Sequence, residues 1–197
     1  VMMITGSCGS SSCIRSNAVM SDGMVFSEAR QGGSVDAVMT SLNRTMHHKV
    51  SRRMFTAFCL LTLEPSTGDL TFANAGLCEP LYRSGDSTAY LASPGAHFPL
   101  GAFRNTSYEQ RVQRLVPGDA VVVFTDGVPE ARNQAGELYG YEALRRLLAR
   151  LDPARMSAAA ILDAIVADVR RFTGTSHQND DLAVLVIVAT DRGGNPP

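Results

Sequence analysis

Residues 121–133 of this 197-residue chain read VVVFTDGVPEARN, and this stretch decides how the chain folds. Three valines followed by Phe124 have the composition of a strand that is buried on both faces. The strand ends at Asp126 and Gly127, so a carboxylate stands at the end of a rigid element, and the glycine lets the backbone approach a ligand closely. Two interpretations are open here: a plain Asp-Gly turn, or one side of a metal or phosphate site.

Composition and charge limit the number of domains and the kinds of partner that we expect. With 45% hydrophobic and 19% charged residues, the chain is long enough for one good core and does not require two. We therefore expect a single domain over residues 1–190 and a tail at residues 191–197, DRGGNPP. The 18 basic and 19 acidic residues give a net charge of −1. A charge this small does not attract nucleic acid or an anionic membrane over a distance, so neither is expected as a partner.

Two features of the sequence indicate a cytoplasmic protein. No apolar run approaches the ~20 residues that a membrane-spanning helix needs, and the apolar residues 1–4 are too few for the core of a signal peptide. The cysteines show no CxxC spacing, and Cys59 lies in an apolar run where a thiol acts as a small hydrophobe, so reduced thiols are expected. For Cys8 and Cys13 the alternatives are metal binding or oxidation. Their loop, TGSCGSSSC, is either a flexible connector or a source of backbone N–H groups for a phosphate.

The pattern up to residue 115 predicts helices followed by antiparallel strands. A helix is expected at residues 14–30, and a second helix follows with one buried face. That face consists of Val35, Val38, Met39, Leu42 and Met46. Short strand-like runs separated by turn residues come next, at residues 55–63, 70–74, 80–83 and 89–91. We expect the first two runs to form a hairpin, and residues 108–115 to form another with the strand at Val121.

The chain continues with two helices and a last apolar strand. Gly140 precedes the first of these helices, and Ser157 caps the second. Residues 182–188, LAVLVIV, predict a second strand that is buried on both faces. Four or five antiparallel strands between two pairs of helices, with a final central strand, predict an α+β fold: a β-sandwich of antiparallel sheets flanked by α-helices.

A second group of carboxylates precedes the last strand. Asn179, Asp180 and Asp181 come directly before Leu182, whereas Asp126 follows the other apolar strand. If the two strands are antiparallel neighbours, the end of the first lies beside the start of the second and the carboxylates meet. Clustered carboxylates repel one another unless a cation lies between them, so this arrangement favours a hard metal such as Mg²⁺ or Mn²⁺. The alternative is that Asp180 and Asp181 only end a loop.

Basic residues gather at the end of the predicted second helix. They are His47, His48, Lys49, Arg52 and Arg53. Positive charges at the C-terminal end of a helix interact favourably with the helix dipole. One interpretation is therefore that these residues form a solvent-exposed helix end with no further function. The alternatives are a docking patch for an acidic or phosphorylated partner, or metal binding by the two histidines, which adjacent helical positions disfavour. His97 is expected in a surface loop and not as a catalytic base.

Three segments in this order, TGDLTFANAG, LVPGDAVVVFTDGVPEARN and NDDLAVLVI, resemble the stage II sporulation protein E family of bacterial serine phosphatases related to protein phosphatase 2C. The resemblance covers residues 34–190. It implies a β-sandwich flanked by helices, a pair of Mn²⁺ or Mg²⁺ ions, and hydrolysis of phosphoserine or phosphothreonine on a regulatory protein, often an antagonist of an anti-sigma factor. By this resemblance Asp126 and Asp180 match the family's metal-ligating aspartates, and Asp181 takes the adjacent polar place.

Two places depart from the family pattern. Family members carry a GDxSGxG-like motif whose aspartate bridges both metals, and the matching residues 4–10, ITGSCGS, have no carboxylate; the first acid is Asp22. The family usually has histidine after the Ala-Gly of this hairpin, where Leu77 stands here. We therefore expect a domain that lacks the family's N-terminal strands and first metal-binding aspartate. Its cations would be bound weakly or not at all, because cation affinity follows the charge and number of ligands.

The sequence leaves two functions open. One is a Mn²⁺- or Mg²⁺-dependent protein serine/threonine phosphatase that acts on a regulatory phosphoprotein in a bacterial signalling or sigma-factor control pathway. The other is a catalytically degenerate phosphatase-like domain that regulates a partner by binding it. A truncated sheet edge can pair with a second copy, so a homodimer also stays open.

Overall fold

The computed structural model describes residues 2–7, 33–49, 55–175 and 182–191. These ranges contain eight strands and three helices. In chain order they are β1 (Met2–Ser7), α1 (Val35–Lys49), β2 (Thr56–Glu64), β3 (Asp69–Ala75), β4 (Leu81–Ser84), β5 (Ser87–Tyr90), β6 (Arg111–Arg114), β7 (Ala120–Phe124), α2 (Tyr141–Arg150), α3 (Ala158–Thr173) and β8 (Val184–Val188).

Some of the sequence-based predictions fall outside these ranges and stay predictions. They concern the helix at residues 14–30, Cys8, Cys13, Arg52, Arg53, Asp180 and Asp181. In the part of the chain that is described, no helix is long and apolar enough to cross a lipid bilayer.

The chain forms two compact units, and the first comprises Val1–Leu77 together with Ser93–Arg114. Its sheet has the strand order β1-β2-β3-β6, and each neighbouring pair is antiparallel. Helix α1 packs against β2 and β3 through the predicted apolar face, all five residues of which are buried. The expected hairpin of β2 and β3 is confirmed; Gly68 in its turn has a φ of 78°, which a residue with a Cβ rarely adopts.

The second unit comprises Cys78–Ala92 together with Leu115–Pro197. Its sheet has the strand order β5-β4-β7-β8 and is also antiparallel. All five residues of β7 are buried, as its composition predicts. Ala120, Val122 and Phe124, which share one face of β7, form a core with apolar residues of α2 and α3. The helical residues of that core are Leu144, Leu148, Ile161, Ile165 and Val169.

The hairpin predicted for residues 108–115 is wrong. β6 pairs with β3, and β7 pairs with β4 and β8. Two backbone hydrogen bonds hold the turn into β7. Asp119 N donates to Val116 O within the turn, and Gly118 N donates to Ala189 O in the chain after β8, both at 2.9 Å. A tight turn indicates where the chain changes direction, but it does not determine which strand pairs with which. The turn signal therefore did not justify the predicted pairing with β7. Six strands, not four or five, separate α1 from α2 in the described chain.

The burial predicted for the last strand is wrong as well. All five residues of β8 are only half-buried, although their composition matches that of β7. The physical reason is position, because β8 stands at the edge of the described sheet and has only β7 as a neighbour there. Val184, Val186 and Val188 pack partly against the helical core on one face.

Ser157 caps α3 as expected. Its Oγ accepts a hydrogen bond from Ala160 N at 3.1 Å and so satisfies one of the unpaired N–H groups of the first turn. Ser157→Ala should lower the free energy of unfolding by about 1 kcal/mol, whereas Ser157→Asp, which keeps an acceptor, should lower it far less. Urea denaturation of the three proteins measures this, and equal losses in both variants would contradict the cap.

Candidate metal site

Asp126 stands where the sequence predicts it, directly after the buried strand β7. β7 and β8 are antiparallel, with Phe124 opposite Val184. The pairing continues one residue further, since Thr125 N donates to Ala183 O and Ala183 N donates to Thr125 Oγ1, both at 3.0 Å. The two apolar strands are thus antiparallel neighbours, which is the condition under which the sequence predicts that the carboxylates meet, and the end of β7 lies beside the start of β8.

The other two predicted ligands, Asp180 and Asp181, lie outside the described residues. Leu182, which follows Asp181 and precedes Ala183, is the first of the described residues after this segment. The meeting of these aspartates with Asp126 therefore stays a prediction.

The segment after Asp126 folds as a tight turn that carries a second carboxylate. Glu130 N donates to Asp126 O at 2.9 Å, so the two residues are separated by a single turn of chain. Gly140 N donates to Pro129 O at 2.8 Å, which joins the start of α2 to this turn. The Asp-Gly pair thus does form a turn. A turn and a metal ligand are compatible here, because the Asp126 side chain is only half-buried.

Two further side chains lie in the field of these carboxylates. Tyr141 Oη and Cys78 Sγ are hydrogen-bonded at 3.4 Å. Burial is the main cause that raises the pKa of Cys78, and the charges of Asp126 and Glu130 raise it further against the opposing effect of the Tyr141 hydrogen bond. The pKa of Tyr141 is raised by burial, by its hydrogen bond to Cys78 and by the same two carboxylates. Asp126 and Glu130 therefore act on one region, and their combined charge would attract a cation there.

Sequence reasoning missed Glu130, Tyr141 and Cys78 as members of this region. The spacing of four residues between Asp126 and Glu130 was the available signal for one of them. The ring of Tyr141 packs against that of Phe124, with the centroids 6.3 Å apart. A contact between residues this far apart along the chain cannot be predicted from a local sequence pattern.

The described residues match a hard divalent cation in ligand chemistry but do not complete its ligand set. Carboxylate oxygens are the ligands that Mg²⁺ and Mn²⁺ prefer, and Asp126 and Glu130 supply them. Within the described ranges, no group of three or more His, Cys, Asp or Glu side chains is placed to hold a metal ion. A complete site needs further carboxylates, and Asp180 and Asp181 precede β8 at the end where Asp126 lies.

In the part of the chain that the structure describes, His47, His48, His97 and Cys59 belong to no group of three or more side chains that could hold a metal ion. His47 Nδ1 is hydrogen-bonded to Gly101 O at 2.9 Å, and the rings of His47 and His48 are 6.3 Å apart and nearly perpendicular. His97 is an exposed loop residue, as expected. Cys59 is fully buried, and burial raises the pKa of its thiol to about 12, which confirms its role as a small hydrophobe.

The place where the family usually has histidine is filled here by a core residue. Leu77 is buried, and Asn74 holds its backbone from both sides. Leu77 N donates to Asn74 Oδ1, and Asn74 Nδ2 donates to Leu77 O, both at 2.9 Å. Leu77 thus contributes packing at this position and no polar group.

Comparison with known proteins decides the family. The model of the family described as stage II sporulation protein E (SpoIIE) matches residues 15–190. The chain belongs to the SpoIIE family. This agrees with the resemblance carried by the motifs around Asp126.

Relatives of this SpoIIE-family chain include proteins described as phosphatases. The phosphoserine phosphatase RsbU of Bacillus subtilis is 30% identical over 101 residues, which are 51% of this chain and 30% of RsbU. The PP2C phosphatase domain of SpoIIE from Bacillus subtilis, solved with a fragment of its regulatory domain, matches with a TM-score of 0.78 and 16% identity over 95% of this chain and 53% of that one. RsbX in complex with magnesium matches with a TM-score of 0.67 and 14% identity over 93% of this chain and 78% of that one.

These likenesses confirm the fold class. Antiparallel sheets with flanking helices are the architecture of PP2C-like phosphatase domains, as the sequence predicts. The chain spans about a third of RsbU and about half of the solved SpoIIE chain.

Proposed function

We propose that this SpoIIE-family chain is a Mn²⁺- or Mg²⁺-dependent phosphoprotein phosphatase domain, a hydrolase that removes phosphate from serine or threonine of a regulatory protein. The observation that carries the proposal is the position of Asp126 at the end of β7, beside the start of the strand that Asp180 and Asp181 precede. Membership of the family and the likeness to the phosphoserine phosphatase RsbU support it.

Asp126, Asp180 and Asp181 are the proposed metal ligands, and Glu130 adds negative charge to the same region. A bound divalent cation would polarise a phosphoryl oxygen and lower the pKa of a nearby water. The choice of metal is supported by the complex of RsbX with magnesium. The chain's own contribution is to hold Asp126 rigidly, because Thr125 is fixed to Ala183 by two hydrogen bonds.

The proposed partner is a phosphorylated regulatory protein in a bacterial signalling or sigma-factor control pathway, met in the cytoplasm. The near-neutral net charge of −1 supports local recognition of such a protein over attraction to nucleic acid or anionic membrane. A homodimer through a sheet edge is part of the same proposal; the half-buried strand β8 at the edge of the described sheet supports it.

A catalytically degenerate, partner-binding domain is the second candidate. One specific observation favours it: the residues that match the family's first metal-binding motif carry no carboxylate, and the first acid in the chain is Asp22. A site with fewer charged ligands binds a divalent cation less tightly. The two candidates share the fold and differ in metal binding and turnover.

Release of inorganic phosphate from casein phosphorylated on serine tests the proposed activity. We expect release with millimolar Mn²⁺ and none with chelator, because the cation supplies the charge stabilisation that the described side chains lack. Absence of release at every Mn²⁺ concentration would reject the phosphatase and leave the degenerate binding domain.

Calorimetric titration with Mn²⁺ separates the two candidates independently of any substrate. We expect weak binding, with a dissociation constant on the order of 0.1–1 mM, because residues 4–10, which match the family's first metal-binding motif, carry no carboxylate. Asp126→Asn should remove most of the binding heat, while Asp152→Asn, an exposed carboxylate paired with Arg155, should not change it. Unchanged heat in Asp126→Asn would place the metal elsewhere.

A further inference from the structure

Two phenylalanines of the first unit are exposed although they pack on each other. Phe98 and Phe103 are 51% and 55% exposed, and their ring centroids lie 4.7 Å apart at an interplanar angle of 68°. An edge-to-face pair of this kind buries part of each ring and leaves the remainder to solvent. Neither ring belongs to the buried cluster of this unit. The pair therefore forms an apolar patch on the surface.

The loop that carries the pair is held by one buried side chain of α1. Asn43 is 0% exposed, and its Nδ2 donates to Phe103 O at 2.8 Å and, at 3.4 Å each, to Arg104 O and Thr106 O. Asn43 Oδ1 accepts from Gly101 N at 2.9 Å. An amide that contacts four backbone groups of one loop, two of them at 2.8 and 2.9 Å, fixes the direction in which the loop displays Phe103.

The other half of the loop is anchored in the same way. Tyr108 Oη donates to Phe98 O at 2.7 Å. Leu100 exchanges two backbone hydrogen bonds with Thr56, at 3.1 and 2.9 Å, at the start of β2. A loop that is already ordered loses little conformational entropy on binding, so exposed aromatic side chains on it make efficient anchors for a partner.

Exposed basic side chains occur beside Phe103 in the loop and beside Asn43 on the helix that holds the loop. Arg104 follows Phe103, Arg44 follows Asn43, and His48 lies one turn further along α1; all three are exposed. Neither arginine forms an ion pair with a carboxylate of the described residues. Among the described residues, therefore, no carboxylate neutralises their charges, and this favours contact with carboxylates of another molecule.

We propose that Phe98, Phe103, Arg104 and Arg44 form a docking surface for an acidic segment of a partner protein that also carries an apolar side chain. The apolar side chain would pack on the two rings, and the partner's carboxylates would accept paired hydrogen bonds from the guanidinium groups. The surface lies in the first unit, whereas Asp126 lies in the second. The inference therefore does not depend on the proposed phosphatase activity.

Selection of peptides tests the proposal without a known partner. The full chain is used to select from a displayed library of random 12-residue peptides. We expect enrichment of peptides with two or more Asp or Glu residues beside a large apolar residue. Phe103→Ser and Arg104→Glu should each weaken binding of the enriched peptide at least ~10-fold, which is the size of effect that a hot-spot residue carries.

Control experiments test whether the loss of peptide binding is specific to the proposed surface. Val112 is 55% exposed in the same unit, so Val112→Ser removes an exposed apolar side chain outside the patch and should leave peptide affinity unchanged. Raising the salt concentration from about 0.1 M to about 1 M should weaken peptide binding to the wild type much more than to Arg104→Glu, because salt screens the ion pairs. Circular dichroism confirms that each variant keeps its fold.

Three results would overturn the proposal. The first is a selection that enriches no acidic peptide, or enriched peptides that bind Phe103→Ser and Arg104→Glu as they bind the wild type. The second is co-sedimentation with phosphatidylserine vesicles that Phe103→Ser abolishes, which would assign the patch to a lipid surface. The third is a concentration-dependent dimer in analytical ultracentrifugation that Phe103→Ser abolishes, which would assign it to a second copy of the chain.

Discussion

Asp126→Asn should lower Mn²⁺-dependent release of phosphate by more than about 100-fold, since even the residues that only support metal ligands cost 10–100-fold when they are lost. The substitution keeps the size of the side chain and removes its charge. Asp126 is half-buried at the end of β7, and its carbonyl oxygen would still accept from Glu130 N, so the fold should not change. Initial rates on phosphorylated casein, at several Mn²⁺ concentrations, give the measurement.

The control for this variant is Asp152→Asn. Asp152 is an exposed carboxylate between α2 and α3, and it forms a surface ion pair with Arg155 at 3.5 Å. Its loss should leave the rate within about twofold of the wild type, because a surface ion pair contributes little. Activity in Asp126→Asn equal to that of Asp152→Asn would remove Asp126 from the site.

Phe124→Ala should lower the free energy of unfolding by about 4 kcal/mol, near the middle of the range for a buried phenylalanine. Phe124 is fully buried two residues before Asp126, and its ring contacts those of Tyr90 and Tyr141 at centroid distances of 6.4 and 6.3 Å. Alanine would leave a cavity where β7 meets the helical core. The shift of the urea denaturation midpoint, with the slope held in common, measures the loss.

Phe98→Ala provides the same chemical change at an exposed site. Because Phe98 is 51% exposed and touches Phe103 at the surface, this variant should lose less than about 1 kcal/mol. Equal destabilisation of Phe98→Ala and Phe124→Ala would show that the burial of β7 does not set the stability of the chain.

Where local composition determines structure, the sequence was sufficient to predict it. The buried strand at Val121, the five apolar residues on one face of α1 and the cap at Ser157 each depend on the residue types of one short segment. The place of Asp126 at a strand end also followed from such a pattern.

What the sequence did not predict depends on partners that are distant along the chain. β6 and β8 were misplaced because strand composition does not state which strand is the neighbour, nor whether the strand stands at a sheet edge. Glu130 joins the region of Asp126 through the turn after β7, and Tyr141 through the hydrogen bond from Gly140 N to Pro129 O and the packing of its ring on Phe124. The contacts of Gly140 with Pro129 and of Tyr141 with Phe124 join residues too far apart to be seen within a window of a few residues.

The most direct test of the account is a crystal structure of the chain grown with Mn²⁺, measured at a wavelength where manganese scatters anomalously. We expect an anomalous peak within about 2.5 Å of a carboxylate oxygen of Asp126, the range of a bond from a hard cation to oxygen. The same peak should contact Asp180 or Asp181. A structure at saturating Mn²⁺ with no peak beside Asp126 would contradict the account.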